Sequence, residues 1–378
     1  MKSFGFNPGF IITVLFPVAG WVLNFIYSVW FFRSSPGKKT YLGLSTLFLI
    51  SIYGAIFFNT ALSICLFMAA SVVFLTVMSG VDRKNGSLWY FDPKFLYAFL
   101  GIGLIYAGLT MSGHNTIYGI LGAHPYASGS VQNPVMNGCA LYLTAAGIVL
   151  NIAAIIFAGW KRTDNILQMS FPALINVFIY IKVCFWLAVR VFNLNIIPLR
   201  DSYTVNSSQI LWVFMAAGII FALAAFIENN IRMVLGYGCV SQMCLIAMTA
   251  LLKPEEAAGE MLFYNFLHTA AFLGLYFTAG IADFAADNSN RKEMPMLMDK
   301  MPFIGALFLL NAFSIIGFPP FGGFFSKYSS FSMMAGEKMY TLMAFTAGAA
   351  FITLLYMMKL FNLIFMGNAD IQTAKKKI

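Results

Sequence analysis

Charge is what this sequence has least of. Only 10% of its 378 residues are Asp, Glu, Lys or Arg, against 60% apolar, which excludes a soluble domain whose solvated surface carries about a quarter charged residues. None of the 14 acidic residues lies deep in an apolar run, and Asp82, Glu228, Glu260 and Asp283 stand at run ends. The five cysteines, Cys65, Cys139, Cys184, Cys239 and Cys244, have no CxxC spacing, so zinc and dithiol motifs are excluded and the thiols read as small packing groups. The sequence also lacks a glycine-rich phosphate loop, a pair of catalytic carboxylates and a Cys/His cofactor set. His114 and His124 fit no ligand spacing. No metal, no cofactor and no autonomous catalysis are expected.

What the sequence has instead is long apolar runs. A membrane-spanning helix takes about 17 to 25 mostly apolar residues. Such runs lie at 10–32, 41–58, 61–79, 95–111, 138–159, 171–191, 210–227, 233–252, 261–282, 303–335 and 340–366. The expectation is one integral membrane domain over 1–378, an all-α polytopic transmembrane helix bundle. It has about eleven spans when 303–335 counts as a single broken helix. The first run lacks a small-residue cleavage site and exceeds a signal-peptide core in length, so it is expected to be retained.

A net charge of +9 would suit a nucleic-acid partner, but orientation accounts for it better. With the N-terminus outside, the inner connectors and tail carry Arg33, Lys38, Lys39, Arg83, Lys84, Lys94, Lys161, Arg162, Arg232, Arg291, Lys292, Lys300, Lys375, Lys376 and Lys377. The outer side carries only Lys2, Arg200, Lys253 and Lys338, with Arg190 near a helix end. That is the positive-inside bias. It places the chain in the cytoplasmic or an equivalent energy-transducing membrane, C-terminus inside, with lipid rather than nucleic acid around it.

The longest polar connector, 112–136, falls outside, and a second of mixed charge, 283–300, falls inside. Spans two to six, about 41–191, and seven to eleven, about 210–366, form two groups of five. The odd number makes the second group enter the membrane inverted. Inverted repeats place transport sites near the midplane at broken helices. On this reading Asn151 is the counterpart of Lys327.

Two lysines sit inside apolar runs. An ammonium at mid-depth costs about 2.5 to 3.5 kcal/mol on insertion scales, so its retention points to use. Lys327 follows the break Gly317, Phe318, Pro319, Pro320, Phe321, Gly322, Gly323. Proline supplies no N–H there and clashes with the preceding turn, and irregular backbone at depth survives only against protein or a hydrated cavity. The negative end of the first half-helix is also placed to stabilise a cation. The plain alternative is a kink with Lys327 reaching to the surface. Lys182 lies halfway along 171–191, out of such reach, with Asn176 and Tyr180 on the same helix as candidate members of a water chain. No carboxylate stands at its depth in the sequence, and an ammonium without water or a counter-charge is biased towards its neutral, proton-exchanging form. His268 lies a third of the way into its run, as a relay or a packing residue. Lys359, near the end of the last run, is expected to snorkel.

Four segments carry a resemblance. Residues 311–327, NAFSIIGFPPFGGFFSK, with 230–242, NIRMVLGYGCVSQ, 172–190, PALINVFIYIKVCFWLAVR, and LHTAAFLGLYFTAG around His268 resemble, in order and spacing, the antiporter-like proton-translocating membrane subunits of respiratory complex I, Mrp antiporters and membrane-bound hydrogenases. The likeness runs from about 138 to the end. It implies that Lys182 and Lys327 occupy the family's central proton-relay positions and His268 its channel histidine. The chain departs from the pattern where the family's earlier relay lysine falls on Asn151 without its helix-breaking proline, and where the first repeat has no glutamate. Phe272 stands where a lysine commonly follows the histidine, and the chain is shorter than the pattern at both ends.

The resemblance implies a proton-conducting, antiporter-like subunit of a redox-driven, complex I-like assembly, itself non-catalytic, with other membrane subunits as partners and protons or Na+ as the ion. Lys182 and Lys327 would relay and His268 would link or gate them. Two alternatives stand beside it. One is a non-conducting scaffold subunit of such a complex, favoured by the losses in the first repeat. The other is a small secondary carrier for cations or bicarbonate acting with a soluble partner.

Overall fold

A computed structural model describes residues 8–33, 35–58, 60–81, 95–111, 134–160, 170–200, 207–252, 254–287 and 297–366. The described residues are helical almost throughout, because lipid offers no water to backbone N–H and C=O groups and a helix satisfies them internally. The chain divides into two compact units, Met1–Ser207 and Ser208–Ile378. The connector over 112–133, with His114 and His124, lies outside the described residues.

The first unit holds α1 (Pro8–Phe31), α2 (Lys38–Phe57), α3 (Ala61–Val81), α4 (Phe95–Met111), α5 (Pro134–Trp160) and α6 (Phe171–Arg200). Helix α6 packs against α1, α2, α3 and α5, and every side chain from Phe171 to Phe185 is buried. Its run is apolar over most of its surface, as a core helix requires, with Asn176 and Lys182 as buried polar exceptions. Helices α4 and α5 approach closely because Gly101 faces Gly147: a Cβ on Gly101 would stand 2.6 Å from the Gly147 carbonyl oxygen, and the converse holds for Gly147. Small residues permit such contacts where no hydrophobic effect drives helices together.

The second unit holds α7 (Ser207–Ile227), α8 (Ile231–Leu252), α9 (Pro254–Asp287), the short α10 (Leu297–Lys300), α11 (Pro302–Ile316), α12 (Gly322–Gly336) and α13 (Tyr340–Phe361), which closes with a π turn, Asn362–Met366. Helix α8 is far more buried than α13. Large apolar side chains such as Val149 in the first unit and Val213 in the second, each 67% exposed, form outward faces that suit acyl chains and would be a liability in water.

The break is narrower than the sequence suggests. Helix α11 ends at Ile316 and α12 starts at Gly322, so Gly317, Pro319 and Pro320 form the gap while Gly322 and Gly323 belong to the first turn of α12. Gly317, at φ +85°, ends α11: its N–H donates to Ser314 O at 3.2 Å and the Phe318 N–H to Phe313 O at 3.0 Å, the paired bonds of a glycine-terminated helix. Gly323 is needed for a different reason. A Cβ there would overlap the Ser314 carbonyl oxygen, so glycine is what lets α12 start against the side of α11.

Gly147→Val is expected to force α4 from α5 and destabilise the protein by roughly 1 to 3 kcal/mol, read as a lower melting temperature in detergent. Gly43→Ala, at an exposed helical position with nothing within 4 Å of its new Cβ, should leave that temperature unchanged or raise it.

Candidate functional site

Lys327 lies one turn into α12 with its side chain folded back onto the end of α11. Its Nζ donates to Ile315 O at 2.8 Å and to Ile316 O at 3.0 Å. Those carbonyls are among the last of α11, which have no partner inside the helix, and they carry the negative end of its dipole. The side chain passes over Gly317, where a Cβ would stand 2.7 Å from Lys327 Cδ. One glycine therefore both ends the half-helix and leaves room for the lysine stem. At 7% exposure the residue is buried, so the alternative of a lysine reaching out to the surface is set aside.

Beside Lys327 lies a small cavity lined by Leu245, Met248, Thr249, Tyr264, Ser330, Thr346 and Ala350. Its wall is almost wholly apolar, and a small apolar cavity stays dry. Thr249 and Ser330 share a hydrogen bond at 3.0 Å, and their hydroxyls also reach Leu245 O and Ser326 O respectively. His268 does not line this cavity. Tyr264, one turn earlier on the same face of α9, does. His268 is buried at 4% exposure with its ring centroid 4.5 Å from that of Phe272. Sequence reasoning passed over Thr249, Ser330, Thr346 and Tyr264. Their signal is the placement of isolated hydroxyls at helical spacing within apolar runs.

Lys182 belongs to the first unit and is 2% exposed. Its Nζ lies 5.5 Å from the Phe178 ring centroid, one turn back. Asn176 and Tyr180 do not share its face. They form a neighbouring pair four residues apart, whereas position 182 lies on the other side of a helix with 3.6 residues per turn. Asn176 Nδ2 donates to the Tyr41 hydroxyl at 3.2 Å and its Oδ1 accepts from Asn24 Nδ2 at 2.9 Å. The Tyr180 hydroxyl donates to Asn151 Oδ1 at 3.1 Å. Asn151, wholly buried, in turn donates from Nδ2 to Ala98 O at 2.9 Å and accepts from Cys184 Sγ at 3.6 Å. These direct amide and hydroxyl bonds link α1, α2, α4 and α5 to α6.

At one end of the second unit, Lys359 does not simply reach into water. Its Nζ donates to Phe226 O at 2.7 Å, Ile227 O at 3.3 Å and Glu228 O at 2.8 Å, closing off the end of α7. Nearby in sequence, Arg232 at the start of α8 pairs with Asp283 near the end of α9 at 2.9 Å. Among the described residues no cluster of three or more His, Cys, Asp or Glu side chains could hold a metal ion.

Residues 94–353 match the family described as "NADH:quinone oxidoreductase/Mrp antiporter, TM". NADH-quinone oxidoreductase subunit N 1 of Chloroherpeton thalassium is 21% identical over 313 residues, 80% of this chain and 63% of that protein. The counterpart from Koribacter versatilis is 25% identical over 72% of this chain and 55% of its own length, so the chain spans less than two thirds of these relatives. In fold it resembles a chain of respiratory complex I from Thermus thermophilus, with a TM-score of 0.68 at 17% identity, covering 96% of this chain and 79% of that one. A chain of the Mrp complex from Dietzia sp. gives 0.67 at 19%, covering 94% and 67%.

Asn151→Leu is expected to cost roughly 1 to 3 kcal/mol of stability, since it removes three buried hydrogen bonds, to Ala98 O, Tyr180 and Cys184. Thr249→Val should cost about 1 kcal/mol or less, because Ser330 keeps its bond to Ser326 O. Thermal unfolding of the two purified variants side by side checks the order.

Proposed function

Since the chain belongs to the NADH:quinone oxidoreductase/Mrp antiporter membrane family, we propose that it is a proton-conducting, antiporter-like subunit of an energy-converting, redox-driven membrane complex, coupled through partner membrane subunits. The observation that carries this reading is the seat of Lys327, a buried amine held on two helix-end carbonyls. An ammonium has three N–H bonds. Ile315 O and Ile316 O take two of them. An amine that gives up the third proton keeps both carbonyls bonded, so the half-helix end stays capped in either protonation state. A carboxylate at this position would have no such property, because its acceptor oxygens would face carbonyl oxygens.

Lys182 serves as the second relay group on this reading, and His268 links or gates the two. Support for Lys182 comes from its burial at the centre of the first unit, and for His268 from its position one turn from Tyr264 on α9. The two units correspond on this reading to inverted repeats within about eleven spans, with the N-terminus outside and the C-terminus in the cytoplasm. Lysine and arginine placement supports the orientation.

One observation favours the scaffold alternative. Asn151 is held by three hydrogen-bond partners and a neutral amide does not carry a proton, so the first unit is bonded as a rigid body around that position. Conduction through the second unit alone is compatible with this.

The test is proton translocation by the purified complex in lipid vesicles. Lys327→Ala should lower the rate at least about a hundredfold, the low end of what loss of one positioned proton-transfer group produces. If Lys182→Ala keeps the full rate, Lys182 has no relay role. If both variants keep it, the scaffold reading stands instead.

A further inference from the structure

Six methionines, Met215, Met248, Met333, Met334, Met339 and Met343, gather in one apolar cluster of the second unit, between α7, α8, α12 and α13. Methionine commonly fills irregular gaps, and the buried Met215, Met248 and Met334 need no other role. Met333, Met339 and Met343 differ in being only partly buried, at the edge of the cluster beside the turn from α12 to α13. Glu337 and Lys338 in that turn are exposed, and charged side chains are kept out of hydrocarbon, so Met339, next in the chain, stands where the membrane meets water. The turn is closed by two backbone bonds, from the Lys338 N–H to Ala335 O at 3.0 Å and from the Met339 N–H to Met334 O at 2.9 Å, the pairing of a Schellman motif. Glycine is usual at the left-handed position of that motif, yet here Lys338 occupies it at φ 56°. A side chain stays in such a conformation only where its surroundings over-determine it. Met339 supplies the hold, packing against the cluster as the apolar contact that accompanies this motif. The cluster also touches the seat of Lys327: Thr346 Oγ1 donates to Met334 Sδ at 3.6 Å, and Thr346 and Met248 line the cavity beside the lysine.

We propose that Met339 is a reversible oxidation site, acted on by hydrogen peroxide, whose sulfoxide releases the α12–α13 turn. The sulfur attacks one peroxide oxygen: an S–O bond forms, the O–O bond breaks, and the other oxygen leaves as water with both protons. Sulfur gives up two electrons and the peroxide takes them. The sulfoxide is polar, and the side chains of the cluster, aliphatic, aromatic or thioether, donate no hydrogen bond to it. The S–O group therefore turns out towards water, Met339 leaves the cluster, and Lys338 loses what holds it in the left-handed conformation. Since α12 carries Lys327 nearer its other end, the helix of that lysine loses its anchor at the membrane surface. Sulfoxide reductases return the thioether, which makes the change a switch. The site stands whether or not Lys327 conducts protons.

The experiment treats the full chain, in the complex it purifies with, with hydrogen peroxide, and reads tryptic cleavage after Lys338 together with the mass of the peptide bearing Met339. Oxidation at Met339 should raise cleavage about tenfold, because proteolysis tracks the population of the open form and a polar group stranded in the cluster shifts it by about that much. Met339→Leu keeps volume and apolar contact but has no sulfur, so its cleavage should stay slow in peroxide. Met339→Gln, polar at the same place, should be cleaved fast without peroxide. Any of four results overturns the proposal: a Met339 thioether that survives while Met366, 40% exposed, is oxidised; cleavage that is equal before and after oxidation; an equal rise in Met339→Leu; or slow cleavage of Met339→Gln. Should the variants fail to fold, the unsubstituted protein decides. Treatment with a methionine sulfoxide reductase should restore slow cleavage, and cleavage that stays fast once the thioether has returned marks general damage and overturns the switch.

Discussion

A helix that stops inside a bilayer leaves carbonyl groups where no bulk water can reach them, and the second unit is organised around that debt at the end of α11. Gly317 bends the chain out of the helix and its neighbour's N–H returns to Phe313, which satisfies part of it. Lys327 satisfies the next two carbonyls from the following half-helix. The cation needs the break for its acceptors, and the break needs the cation for its donors. Gly323, seated on Ser314, sets how near the two halves lie, and so holds the lysine within reach.

Both units tie buried polar groups across helices. In the first, Asn24, Tyr41, Asn151, Asn176 and Tyr180 bond to one another or to main-chain carbonyls, and the bonds cross between helices. In the second, Ser241 donates to Gly218 O, Gln242 to Thr353, and Thr249 pairs with Ser330, while Thr346 and Thr353 bond back to their own helix. Such networks favour one fixed arrangement.

Helix positions were legible because a run of about twenty apolar residues has few other fates, and the observed helices coincide closely with those runs, from α2 at Lys38–Phe57 to α9 at Pro254–Asp287. The interruption near Pro319 was legible from proline and glycine chemistry. The partners of Lys327 were half legible: the helix end was foreseen as an electrostatic neighbour, but the two direct bonds depend on Gly317 clearing the path of the stem, a three-dimensional fact. Lys182 lies on another face of α6 than Asn176 and Tyr180, which the spacing itself gives, since residues two or six apart on a helix do not share a face. The hydroxyl rows of α8 and α13 were missed because a single Thr in an apolar run reads as filler until a second helix brings its counterpart opposite.

Lys359 has a consequence for how the second unit comes together. Its amine joins the first long helix of that unit to the last, groups separated by more than 130 positions in the chain. As the polypeptide is threaded into the membrane, the end of α7 must rely on interfacial water until α13 arrives. Contacts between such distant positions form late, so the end of α7 is closed off only when α13 packs beside it, Trp212 against Phe345.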